Sequence, residues 1–166
     1  MSSFPFHLGT FLLIILFSAF PSIAVWSETQ TSLCQGADAT LKCLKEKFQL
    51  LEAQADEQFY EILHNAEKKA EECADLSATA QFLELALVRP AGAEFLEYIA
   101  EEVETLCVSN TVCCLDAALL LPARVQKDLM KELQTPTFLI DTLPPAFSAY
   151  KQNEKYKKLL EYYFKK

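Results

Sequence analysis

The stretch Leu106-Cys107-Val108-Ser109-Asn110-Thr111-Val112-Cys113-Cys114 gathers three of the chain's six cysteines into a short link between two helical patterns. Ahead of it, Phe95, Leu96, Ile99, Val103 and Leu106 recur at helical spacing, with Glu94, Glu97, Glu101, Glu102 and Glu104 mostly on the outward face. Behind it, Thr111 to Leu121 is strongly apolar and predicts a buried segment. A cysteine-rich link in that position predicts a fastening point, to which Cys34, Cys43 and Cys73 come to be paired.

Six cysteines in an exported chain predict three disulfides among Cys34, Cys43, Cys73, Cys107, Cys113 and Cys114. Cys113 and Cys114 are adjacent, and a vicinal disulfide strains the peptide between them. The favoured pairing therefore joins each of the three early cysteines to one of the three late ones. Cys34 with Cys43 stays open as an alternative if the chain ahead of Cys43 folds back. Metal binding is a weak competitor, because zinc sites use close pairs of Cys or His twice over, and His64 has no cysteine near it in sequence. No metal and no cofactor is expected.

Outward toward the N-terminus, an apolar stripe runs through Leu41, Leu44, Phe48, Leu51 and Ala55, slips, and resumes at Phe59, Ile62, Ala66, Ala70 and Cys73. Asp38 is a candidate cap. One helix from residue 37 to residue 74 would reach about 55 Å, too long for a compact domain of this size. A bend is expected near His64-Asn65, where the stripe shifts. Ser77 then caps a short helix carrying Phe82 and Leu85, stopped by Pro90, and Arg89 to Gly92 forms the turn.

Outward toward the C-terminus, Pro122 starts or kinks an amphipathic helix from Ala123 to Leu133. The helical pattern fails from Gln134 to Ala149, and Thr135-Pro136-Thr137 and Leu143-Pro144-Pro145 predict an extended connector lying along the bundle. A basic amphipathic helix follows, with Tyr156, Leu159, Leu160 and Tyr163 on one face. Beyond residue 24 the only glycines are Gly36 and Gly92, very few for a chain that must turn between strands. The expected fold is all-α: a small disulfide-stabilised bundle of about five or six helices with one long, bent N-terminal helix.

Residues 1–24 carry no Asp, Glu, Lys or Arg, and the apolar run Leu8 to Phe17 ends near the small-residue site Ser22-Ile23-Ala24. This predicts a signal peptide cleaved after Ala24, a secreted product, a disulfide-tied helical domain over 25–149, and a docked basic helix over 150–166. An uncleaved anchor is the competing reading, since Phe4 to Trp26 is charge-free and about long enough to span a bilayer; Pro21 and the cutting site favour cleavage.

The net charge of −8 is unevenly spread, since residues 147–166 hold six lysines against two glutamates. So acidic a chain is a poor match for nucleic acid. Beyond residue 24 it has one histidine, His64, and no glycine-rich phosphate loop. Secreted phospholipases that carry Cys-Cys-x-x-His are not matched, because Cys113-Cys114 is followed by Leu115, Asp116 and Ala117. No catalytic residue is expected and the chain does not read as an enzyme.

Three surfaces could bind. Lys155, Lys157, Lys158, Lys165 and Lys166 interleave with aromatic residues and could meet a membrane or polyanion, although docking on the acidic body is favoured. Leu115, Leu119, Leu120, Leu121, Phe82, Phe95 and Phe138 either pack as core or line a cavity. The acidic helix from Glu94 to Glu104 either is solvated or faces a basic partner. The expected function is extracellular binding of another protein; the alternative is a carrier of a small hydrophobic ligand such as a fatty acid or sterol.

Overall fold

The computed structural model describes residue 34 and residues 41–49, 56–88 and 93–165. The chain divides into the units Met1–Gln30 and Thr31–Lys166, and every described residue belongs to the second. The expected signal peptide over 1–24, the Asp38 cap and the Arg89–Gly92 turn lie outside the described residues.

The described residues are helical, with no strand among them. Their elements are α1 (Leu41–Glu46), α2 (Asp56–Glu72), α3 (Leu76–Leu83), a 3₁₀ turn (Glu84–Leu87), α4 (Ala93–Ser109), α5 (Thr111–Leu120), α6 (Ala123–Glu132), α7 (Leu143–Ser148) and α8 (Lys157–Phe164). The apolar stripes read from the sequence point inward. Leu41, Leu44, Phe59, Ile62, Phe82, Leu85, Phe95, Ile99, Val103, Leu159 and Leu160 are all buried. Phe48, Phe59 and Phe95 meet as an aromatic cluster, with ring centroids 4.7 to 5.5 Å apart.

The single long N-terminal helix is corrected. Within the described residues α1 is six residues long and the chain bends at Lys47, just ahead of Phe48 in the aromatic cluster. No bend occurs at His64-Asn65: both lie exposed inside the unbroken α2. That helix ends at Cys73, whose φ of 50° is left-handed. A non-glycine residue there costs roughly 1–2 kcal/mol, and the Cys73–Cys113 disulfide holds it in place.

Two helix starts also differ from expectation. Asp75, not Ser77, caps α3, its carboxylate accepting the N–H groups of Ser77 at 2.8 Å and Ala78 at 3.3 Å. Leu143-Pro144-Pro145 opens α7 where an extended connector was expected. Proline suits a first helical turn, where its missing N–H costs no intrahelical bond. Pro122 does start α6, as its N-cap residue. Gln126, one turn into α6, donates its side-chain amide to the carbonyls of Leu119 at 3.2 Å and Leu121 at 2.8 Å, satisfying acceptors at the end of α5.

The three disulfides are Cys34–Cys43, Cys73–Cys113 and Cys107–Cys114, so no cysteine is free. Only Cys73–Cys113 joins an early cysteine to a late one, which corrects the favoured pairing. The reason lies in the corner at Asn110, where α4 and α5 turn through 113°. Asn110 accepts the N–H of Cys113 on its side chain at 3.3 Å, starting α5. The turn brings Cys107, late in α4, within a Cα separation of 5.0 Å of Cys114 in the first turn of α5. Cys113 projects from the neighbouring position and reaches the end of α2 instead.

Candidate functional site

Glu104 is the one acidic residue buried among the described residues, at 3% exposure. It lies next to Val103 on α4, where the sequence pattern placed it outward with the other glutamates. Its burial is made possible by the segment from Thr135 to Thr142, which crosses that face of α4. One carboxylate oxygen accepts the N–H of Thr137 at 2.6 Å; the other accepts those of Phe138 at 2.9 Å and Leu139 at 2.7 Å. A buried carboxylate is costly unless paired or hydrogen-bonded, and three backbone donors meet that requirement. The charge therefore serves as a clamp on the connector.

The far side of the clamped segment is anchored by the carbonyl of Leu139, which accepts the N–H groups of Thr142 at 3.2 Å and Leu143 at 3.0 Å. Leu143 and Phe147 on α7 are fully buried. Between the two anchor points Leu139 is half-buried, whereas Phe138 is 43% exposed and Ile140 61% exposed. Of the apolar residues in the connector expected over Gln134 to Ala149, Leu143 and Phe147 are buried and Leu139 is half-buried, while Phe138 and Ile140 face outward.

Beside the clamp is an open cleft of about 170 Å³, whose apolar wall includes Leu96, Ile99, Val103 and Leu133. Glu97, Glu104 and Glu132 contribute its carboxylates, and Thr135 and Thr137 close one edge. The residues expected either to pack as core or to line a cavity are not in its lining. Phe82, Phe95, Leu115 and Leu121 are core, Leu119 is half-buried, and Leu120 is 58% exposed.

The basic C-terminal segment is bound to the body at several points. Residues 149–156 form turns, and α8 begins only at Lys157. Tyr156 donates its hydroxyl to Asp116 at 2.7 Å and Lys155 pairs with the same oxygen at 2.5 Å. Burial pushes the Asp116 carboxyl up, but the hydrogen bonds from Lys155 and Tyr156 outweigh it and hold the group below its ordinary value. Gln134 donates to the carbonyls of Tyr162 and Lys165, both at 3.1 Å, and to that of Tyr163. Lys157 pairs with Glu154, Lys158 and Lys165 are exposed, and Lys166 lies outside the described residues. Burial, with the Glu104 charge added, raises the Tyr163 hydroxyl above its ordinary value.

A second group of ionisable residues sits where α2 faces α4. Glu67, Glu71 and Glu102 each bring a carboxylate oxygen within 4.8 Å of the others. Tyr98 donates its hydroxyl to Glu67, and the ring of His64 stands 3.6 Å from the same carboxylate while remaining three-quarters exposed. The Glu102 carboxyl is pushed up to about 6, first by burial and then by the charge and hydrogen bond of Glu67, with Glu101 and Glu71 adding to it. Burial, then the bond to Glu67, raises the Tyr98 hydroxyl. The sequence showed these glutamates as parts of two separate solvated faces, because nothing in either helix's own pattern says which faces will meet.

Among the described residues no single helix is long and apolar enough to cross a membrane. Comparison with protein-family models, with curated proteins and with solved structures gave no match, so the arrangement of its residues is the ground for a functional reading.

Proposed function

We propose that the chain is a secreted, non-enzymatic helical protein that acts by binding another protein outside the cell. The observation that carries this reading is the exposure of large apolar side chains, Tyr60, Val112, Leu120, Phe138 and Ile140. Single exposed apolar residues are ordinary, but Phe138 and Ile140 stand two residues apart on a segment held by hydrogen bonds at both ends. Three disulfides fit an oxidising compartment, and the signal-like N-terminus agrees with export.

Other classes have less support. His64 is largely solvated and stands beside Glu67, and the buried Glu104 already accepts three backbone bonds. For a fatty-acid or sterol carrier, the cleft of about 170 Å³ is small beside ligand pockets of roughly 300–1,000 Å³. Two measurements test the proposal. Chemical cross-linking in the native extracellular fluid should join the protein to a distinct polypeptide at defined stoichiometry, and organic extraction of the natively purified protein should yield no stoichiometric lipid. A stoichiometric lipid with no cross-linked polypeptide would overturn the proposal in favour of the carrier.

A further inference from the structure

We infer that the Cys73–Cys113 disulfide is a redox-sensitive device: a thiol attacks Cys73, and opening the bond frees the C-terminal end of α2 from α5 while the rest of the body stays folded. The inference goes beyond the protein-binding reading and does not rest on it.

Access separates the three disulfides. Exchange requires a thiolate to reach one sulfur of the bridge while the other sulfur leaves. Cys107 and Cys114 are both fully buried, so their bridge offers no point of attack. Cys73 is half-buried at the end of α2, whereas its partner Cys113 is 3% exposed. Attack therefore falls on Cys73, and Cys113 is the leaving sulfur. Cys113 lies in the first turn of α5 behind the Asn110 cap, where the positive end of the helix favours a thiolate. Cys34–Cys43 also has a half-buried member, Cys43, but the sulfur that would leave there, Cys34, is fully buried and sits in a bend instead of a helical first turn.

The exchange balances with a dithiol as reductant. Its thiolate bonds to the Cys73 sulfur, the bond between Cys73 and Cys113 breaks, and the electron pair stays on Cys113. The reductant's second thiolate then attacks the reductant's own sulfur in the mixed disulfide. This closes the reductant's S–S bond and releases Cys73 as a thiolate. Two electrons have passed to the protein, and the two cysteines take up the two protons that the dithiol gave up. One equivalent of a monothiol stops at the mixed disulfide on Cys73.

The surroundings favour a local response to opening. Cys73 is held at a left-handed φ of 50° and can relax once its sulfur is free. Glu71, two residues earlier, brings a carboxylate oxygen within 4.8 Å of those of Glu67 and Glu102, so like charges face each other where α2 meets α4. Tyr98 ties Glu67 to α4, which limits the release to residues 68–73. Beyond them Asp75 caps α3 without help from the disulfide. Phe82, Leu83, Ile99 and Leu115 keep the core packed, with Cys107–Cys114 intact.

The test is limited reduction of the full, oxidised protein with dithiothreitol, followed by iodoacetamide trapping and peptide mapping by mass spectrometry. The Cys73–Cys113 bridge should open at least about tenfold faster than either of the others. With reduced glutathione, the adduct should sit on Cys73. Amide hydrogen exchange in the selectively reduced protein should quicken at least about tenfold at residues 68–73, and should match the oxidised protein in α3, α4 and α5. Earlier opening of another bridge, a glutathione adduct on Cys113, or unchanged exchange at residues 68–73 would each overturn the inference. Loss of protection throughout the body would also overturn it, by showing that the bond only holds the fold together.

Discussion

Glu104 and Leu139 are 35 residues apart in sequence, yet the carboxylate of one accepts the backbone N–H of the other at 2.7 Å. With Thr137 and Phe138 donating to the same carboxylate, this contact determines how the connector lies on α4. Glu104→Ala should lower unfolding stability by about 3 kcal/mol, because it leaves three part-buried N–H groups without their acceptor. Glu104→Gln keeps one acceptor oxygen and should cost about 1–2 kcal/mol. Urea unfolding measures both, and amide hydrogen exchange at Thr137 to Leu139 should quicken in the alanine variant. An unchanged midpoint would mean that the clamp contributes nothing.

Glu102 makes stability depend on mildly acidic pH. Its folded pKa of about 6 lies above the ordinary 4.5, so the folded state holds a proton that the unfolded state has released. Its favourable contribution is complete below pH 4.5 and is lost as pH rises to about 6. Glu102→Gln should therefore gain melting temperature relative to wild type across that window, with the difference level above it. A difference that does not change with pH would show that Glu102 titrates normally.

Asp116 acts in the opposite sense. Its folded pKa is lowered, so its contribution is present above the ordinary value of 3.8 and is lost as pH falls through the folded value. Asp116→Asn should remove that acid-side loss from the melting curve. Tyr156→Phe keeps the ring but removes the hydroxyl donor to Asp116. It should cost about 1 kcal/mol in urea at neutral pH.

The disulfides should contribute unequally. Closing the 40-residue separation between Cys73 and Cys113 stabilises by about 4 kcal/mol in the chain-entropy account, against about 2.5 kcal/mol for the seven-residue Cys107–Cys114 bridge. Replacing both members of each pair by serine and comparing urea midpoints tests the order. Non-reducing peptide mapping should recover Cys34 with Cys43, Cys73 with Cys113 and Cys107 with Cys114.

Periodic apolar positions were legible as helices because helical geometry is local. Spacings of three and four place Phe95, Ile99, Val103 and Leu106 on one face whatever lies opposite. The same logic identified the buried side of α8 at Leu159, Leu160 and Tyr163. A proline pair, by contrast, is ambiguous locally: Pro144-Pro145 suits both an extended segment and a first helical turn, and packing of Leu143 and Phe147 into the core accompanies the helical choice.

The sequence alone therefore determined that this chain is helical, which faces of its helices are apolar, and that its cysteines suit an oxidised state. Tertiary structure decided which cysteines meet, because the corner at Asn110 points the neighbours Cys113 and Cys114 at different partners. It also decided that Glu104 is buried while Phe138 and Ile140 are exposed, reversing what polarity alone predicts. Burial depends on what crosses a residue in space: the backbone donors of Thr137, Phe138 and Leu139 satisfy Glu104, while the side chains of Phe138 and Ile140 stay exposed.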